Sequence, residues 1–90
     1  MNNKVAIESL SMDLLRIALG YNRGSTNMAE RFIREAIKRI NEIDPSFVKP
    51  YLLKIIKMLP SVLSNKDKDH LAEDALMYST IFKNYAKKFL

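Results

Sequence analysis

Two short stretches of this 90-residue chain carry the residue types that phosphate and metal binding require. The first, Gly20 to Glu30 (GYNRGSTNMAE), holds both glycines of the chain, followed by two adjacent hydroxyls, just ahead of a predicted helix. Glycine-rich backbone at a helix N-terminus is a common phosphate cradle. The phosphate-loop pattern, however, needs a lysine after its second glycine and a strand before its first, and this sequence has neither. We therefore expect Gly24 to end one helix in the left-handed conformation and Gly20 to allow another helix to approach closely.

The second stretch, Asn65 to Leu76 (NKDKDHLAEDAL), matches the first three ligand positions of a calcium-binding loop. The match then fails, because His70 stands where glycine makes the sharp turn and Leu76 where a bidentate glutamate is needed. His70 is also the only histidine, so a two-histidine metal site is excluded. We expect the acids to lie at the start of a helix, where its dipole favours them, and His70 to be a surface or boundary residue.

Other catalytic patterns are missing from the sequence. The chain has no cysteine, which excludes disulfides, thiolate metal sites and a cysteine nucleophile. It also lacks the Glu-x-x-His pairs of di-iron bundles, a dinucleotide fingerprint and a nucleophile elbow. We therefore predict that the protein is not an enzyme and has no catalytic, cofactor-binding or metal-binding residues. No apolar run resembles a signal peptide or a membrane span, so we expect a cytoplasmic protein without a membrane partner.

The elements that carry these residues follow from the apolar pattern. Apolar residues recur three and four positions apart through most of the chain, as in Leu10, Leu14 and Ile17, which is typical of amphipathic helices. We predict one helical domain over residues 1–90, with helices at about 4–23, 27–43, 50–63 and 69–89. Short connections favour antiparallel neighbours, so the predicted fold is all-α, an up-down antiparallel four-helix bundle. The third helix should be kinked or broken near Pro50 and Pro60.

Polar residues mark the predicted helix ends. Asn27 and Glu30 have the spacing of a capping box for the second helix. Asp44, which is followed by a proline, is a predicted N-cap for the next turn. Either Asp67 or Asp69 should cap the last helix.

Two predicted helices, the first and the third, carry more apolar residues than one buried face needs. A helix that is apolar almost all round is either central in its bundle or covered by another chain, and a four-helix bundle has no central helix. We therefore predict a protein–protein interaction or self-association module, either a homodimer or a complex with an unidentified protein partner. The predicted interface residues lie mainly on these two helices: Leu15, Leu19, Leu53, Ile56 and Phe89.

The last helix carries a pattern with two interpretations. Four aromatic residues share one side of it, and three lysines lie alongside: Tyr78, Phe82, Tyr85, Phe89, Lys83, Lys87 and Lys88. Such a stripe is either a stacking platform for single-stranded nucleic acid or the core-facing seam of a bundle. We favour the core, because a small bundle needs the apolar area of its aromatic rings. The last turn, at Phe89, is then placed to reach a second subunit.

The charge balance supports an alternative function. Net charge is +5, and residues 46–90 hold eight basic side chains against four acidic ones. A basic excess of this kind favours an anionic partner, although the acids interleaved along the second helix favour a solvated face there. The alternative is a nucleic-acid-binding accessory protein with a diffuse basic surface, formed by Arg31, Arg34, Lys38, Lys49, Lys54, Lys57, Lys66 and Lys68.

Overall fold

Four α-helices run up and down in the computed structural model, which describes residues 2–90 and has no strand in that range. They are α1 (Asn3–Asn22), α2 (Thr26–Glu42), α3 (Pro50–Val62) and α4 (Lys68–Phe89). A 3-10 turn, Pro45–Phe47, joins α2 to α3. The predicted fold class, an all-α four-helix bundle, is confirmed.

The turn between α1 and α2 takes the form expected from its glycines. Gly24 has a φ of +74°, and its N–H donates to the Tyr21 carbonyl at 3.1 Å. The Ser25 N–H donates to the Gly20 carbonyl at 2.7 Å, which completes a Schellman C-cap. A Cβ added at Gly20 would lie 2.9 Å from the Ala29 nitrogen, so α2 passes directly over this glycine. Both predictions for the two glycines are confirmed.

Two of the three predicted caps are confirmed. The Asp44 carboxylate accepts from the Ser46 N–H at 3.0 Å, and the Asp67 carboxylate accepts from the His70 N–H at 3.2 Å. The predicted capping box at Asn27 is wrong, because the N-cap of α2 lies two residues earlier, at Ser25, and the helix begins at Thr26. Its N-cap is then the preceding serine, whose side chain caps no backbone N–H within the described chain.

The prolines of α3 act where the sequence places them. Pro50 is the first residue of α3, and a break lies before it as predicted, between the 3-10 turn and the helix. Pro60 lies in the last turn of the helix and supplies no N–H to the ladder, and α3 ends two residues later, at Val62. The Ser64 hydroxyl donates to the Pro60 carbonyl at 2.7 Å, beyond the helix end.

The core forms around α1, whose backbone approaches α2 and α4 more closely than any other helices approach each other within residues 2–90. The largest fully buried side chains come from α1, α3 and α4: Ile7, Leu10, Leu14, Ile17, Leu52, Leu59, Leu71 and Phe82. Helix α2 contributes fully buried residues only of small size, Ala29 and Ala36, which suits its close approach to α1. Many of the apolar side chains of α1 are therefore buried within a single chain. None of the helices described has the length and apolar character needed to cross a lipid bilayer.

Candidate interaction surface

Helices α1 and α4 are joined by two serines at the point where they meet. The buried Ser11 hydroxyl donates to the Ser79 carbonyl at 2.9 Å, and the Ser79 hydroxyl donates to the Ser11 carbonyl at 2.7 Å. Small side chains at this level allow the two backbones to approach, and the reciprocal bonds satisfy both hydroxyls without water. The pair fixes which residues of α1 stand beside which residues of α4.

On the solvent side of this pair lies a groove of about 490 Å³ between α1 and α4. Its lining includes Met12 and Leu15 from α1, and Lys83 and Lys87 from α4. Helical spacing continues the same apolar stripe in both directions along the two helices. We call this surface the α1/α4 face; its apolar members are Val5, Met12, Leu15, Leu19, Leu76 and Leu90.

The α1/α4 face is substantially open to water. Met12 is 45% exposed and Leu76 is 48% exposed, and Val5 and Leu90 are exposed to a similar degree. The remaining two apolar members are half-buried. Contiguous exposed apolar patches larger than roughly a few hundred Å² are typical of protein–protein and ligand-binding sites.

The structure divides the predicted interface residues between two sides of the bundle. Leu15 and Leu19 lie on the α1/α4 face, half-buried. Leu53 is partly buried against the core, and Ile56 is only 6% exposed, so α3 has little apolar surface left at these positions. Phe89 is 38% exposed and lies away from the first two, in an aromatic cluster.

That cluster joins the end of α4 to the start of α3. The Tyr85 and Phe89 ring centroids are 5.0 Å apart, and the Tyr51 ring stands edge-on to Tyr85 at 6.0 Å. The Lys49 N–H donates to the Tyr85 hydroxyl at 3.1 Å, and the Lys49 ammonium lies 4.7 Å from the Phe89 ring centroid. Phe82 and Tyr85 are buried, so the core interpretation holds for the middle of the aromatic stripe. Its last ring, Phe89, packs against Tyr85 and has the ammonium groups of Lys49 and Lys88 at 4.7 Å and 5.3 Å from its centroid.

The eight basic residues of the alternative function are all exposed, but they lie on different elements. Three are on α2, three at or near the start and middle of α3, and two around the start of α4: Arg31, Arg34, Lys38, Lys49, Lys54, Lys57, Lys66 and Lys68. Some already have partners. Lys38 lies 3.8 Å from Glu35, and the Lys68 ammonium lies 5.7 Å from the Tyr21 ring centroid.

A buried carboxylate that sequence analysis missed lies between α1 and α2. Asp13 is 4% exposed, with its oxygens 3.7 Å from Arg39 Nε and 3.9 Å from Arg16 Nη1. Burial raises the pKa of Asp13 above its ordinary value, a shift that Glu35 adds to and the two arginines oppose. The available signal was an acid between Met12 and Leu14 on a helix with few other charges. The Ser11–Ser79 pair left no such signal, because two serines 68 residues apart are paired only by the fold.

The single histidine behaves as a surface residue. His70 is exposed, and its Nε2 lies 3.5 Å from the Asp74 carboxylate one turn along α4. Within residues 2–90, no three or more histidine, aspartate or glutamate side chains come together in a way that could hold a metal ion.

Comparison with other proteins gives no match. No protein-family model, curated protein or solved structure resembles this chain significantly. The function is therefore inferred from the surface described above.

Proposed function

We propose that this protein is a cytoplasmic protein–protein interaction module without catalytic activity, and that the α1/α4 face is its docking surface. The observation that supports the proposal most directly is the row of exposed and half-buried apolar side chains along two neighbouring helices. The cytoplasmic assignment rests on the cysteine-free sequence, which suits a reducing compartment.

The size of the face suits a specific but reversible contact. A helix of about 20 residues is roughly 30 Å long, and two adjacent helices present a width of roughly 20 Å, or about 600 Å² on this side. Covering such a face from a partner of equal size removes about 1,200 Å² from water in total, at the lower limit of specific interfaces. The binding energy should concentrate at its centre, near Met12 and Leu15.

Two methionines of matched exposure provide the test. Met12 is 45% exposed on the α1/α4 face, and Met58 is 47% exposed on α3. Size-exclusion chromatography with light scattering should show association by the wild type and by Met58→Lys, and its loss in Met12→Lys. If Met12→Lys is monomeric only because it is unfolded, circular dichroism will show the lost helix signal. If the wild type associates and a folded Met12→Lys associates as well as Met58→Lys does, the proposal is refuted.

Nucleic-acid binding by the eight dispersed basic residues stays an alternative prediction, supported by their exposure. It is tested with a labelled random-sequence oligonucleotide over a salt series, because counterion release makes phosphate binding fall steeply with salt. The alternative expects the double variant Arg31→Gln/Arg34→Gln to bind more weakly and with a shallower salt slope. An absence of binding at low salt would leave the interaction module as the sole candidate.

A further inference from the structure

We infer that the occupant of the α1/α4 face is a second copy of this chain, lying antiparallel across a two-fold axis at the level of Met12. This inference rests on the proposed function, since it names the partner of the same surface. It is supported by how charge is distributed along the face.

On α4, acids and bases are placed symmetrically about one point. Asp69 and Lys87 lie equally far before and after position 78 in the sequence. Glu73 and Lys83 also lie equally far before and after that position. All four side chains are exposed, and helical spacing places them on the outward side of α4 that Leu76 shares. On this side of α4, each acid in the first half is therefore matched by a lysine at the same distance from the centre in the second half.

On α1, the same symmetry recurs about Met12. Glu8 and Arg16 are equally distant from Met12 in the sequence and both are exposed, but the Arg16 guanidinium lies toward α2, 5.2 Å from the Phe32 ring centroid. The apolar residues Val5 and Leu19 are also placed equally on its two sides. The charges of α4 and the apolar residues of α1 are therefore each arranged symmetrically about one residue of their helix.

The serine pair places these two centres at the same height. Ser11 and Ser79 are bonded to each other, so Met12 stands level with position 78. A two-fold axis that lies in the plane of the face, perpendicular to both helices, can then pass close to both centres. In a pair of copies related by that axis, each of the four charged residues of α4 faces the oppositely charged residue of the other copy that lies equally far from position 78.

The antiparallel arrangement brings opposite charges of the two α4 helices together. Asp69 of one copy meets Lys87 of the other, and Glu73 meets Lys83, around an apolar centre. If the two α4 helices packed against each other in parallel, lysines would instead face lysines at one end and acids would face acids at the other. Rim charges of this kind contribute little to affinity but determine orientation, because like-charge contacts are costly.

Two charge-reversal variants test the inference. Lys83→Glu/Lys87→Glu makes this side of α4 acidic throughout, and Asp69→Lys/Glu73→Lys makes it basic throughout. Each variant alone should dimerise at least about tenfold more weakly than the wild type, because four like charges then face one another. A one-to-one mixture of the two should recover dimers, all of them mixed pairs, in light scattering and native mass spectrometry. A mixture that associates no better than either variant alone would overturn the inference.

A cysteine cross-link gives a second test that does not depend on charge. The chain has no cysteine, so Thr80→Cys introduces one thiol, on the exposed side of α4 close to the axis. Mild oxidation should give a disulfide-linked dimer of Thr80→Cys and none of the control Lys57→Cys, which lies exposed on α3. Equal cross-linking of both would overturn the inference.

The two proposals fail in different ways. If Met12→Lys abolishes association while the charge-reversed pair does not recover it, the docking surface stands and the antiparallel second copy is overturned. If the wild type is monomeric at millimolar concentration, the second copy is likewise overturned. If Met12→Lys and Met58→Lys both associate as the wild type does, the docking surface itself is wrong.

Discussion

Replacing Gly20 with alanine sets two opposite effects of known size against each other. In an exposed helix interior, glycine to alanine is stabilising by about 1 kcal/mol, because alanine loses less backbone entropy on folding. At Gly20 the added Cβ would lie 2.9 Å from the Ala29 nitrogen, 3.0 Å from its Cβ and 3.1 Å from its Cα. Two of those three atoms belong to the backbone of α2, so no side-chain rotation can relieve the contact.

The steric effect should exceed the gain in helix propensity. Overpacking a well-packed site costs about 1–3 kcal/mol, and a contact with helix backbone on both sides belongs at the upper end of that range. Subtracting the propensity gain leaves Gly20→Ala less stable than the wild type by about 2 kcal/mol. For a domain of this size, the melting temperature should fall by roughly 8–16 °C.

Chemical denaturation with urea, monitored by circular dichroism, measures this difference directly. The double variant Gly20→Ala/Ala29→Gly should recover part of the loss, since it removes the Ala29 Cβ but leaves the backbone atoms in place. A control at an exposed site of the same helix compares Glu8→Ala with Glu8→Gly, since their difference in stability reports helix propensity without a core contact. A Gly20→Ala variant as stable as the wild type, or more stable, would refute the claim that α1 and α2 touch through their backbones here.

Three further predictions concern single sites. Because burial raises the pKa of Asp13 above 3.8 in the folded state, the free energy of unfolding should fall as the pH rises from about 3.8 through the folded pKa. Asp13→Asn removes this pH dependence. Urea denaturation between about pH 3.5 and pH 7 should therefore show the unfolding free energy of the variant rising relative to that of the wild type as the pH increases. Asp67→Ala deletes the carboxylate that caps α4 at the His70 N–H, and should lower the unfolding free energy by about 0.5–2 kcal/mol in the same assay at pH 7. Phe82→Ala empties the largest fully buried site and should cost about 3–5 kcal/mol, with an unchanged melting curve contradicting the assigned core.

The fold could be predicted from sequence wherever the determining interactions are local. Gly24 ends α1, and Asp67 begins α4, through bonds to residues within five positions in the chain. The prediction of a capping box at Asn27 was wrong for a local reason too. Ser25, Thr26 and Asn27 are consecutive and all good N-cap residues, and the spacing to Glu30 did not identify Ser25 as the cap.

The candidate surface was harder to predict, because it depends on which helices lie side by side. The apolar excess of α1 and α3 looked alike in sequence, yet Ile56 is buried while Leu15 stays half-open. That difference comes from the position of α1 between α2 and α4, which no local pattern specifies. The Asp13–Arg39 pair is likewise invisible until α1 and α2 are brought together.

The hydroxyl bonds between Ser11 and Ser79 have a consequence for how α1 and α4 can move. A slide by one helical turn, about 5.4 Å, would break both bonds and leave two hydroxyls stranded in an apolar seam. The two helices are thus pinned against axial sliding, and local opening must separate them sideways. Hydrogen exchange should accordingly find the amides around both serines opening together in one cooperative event.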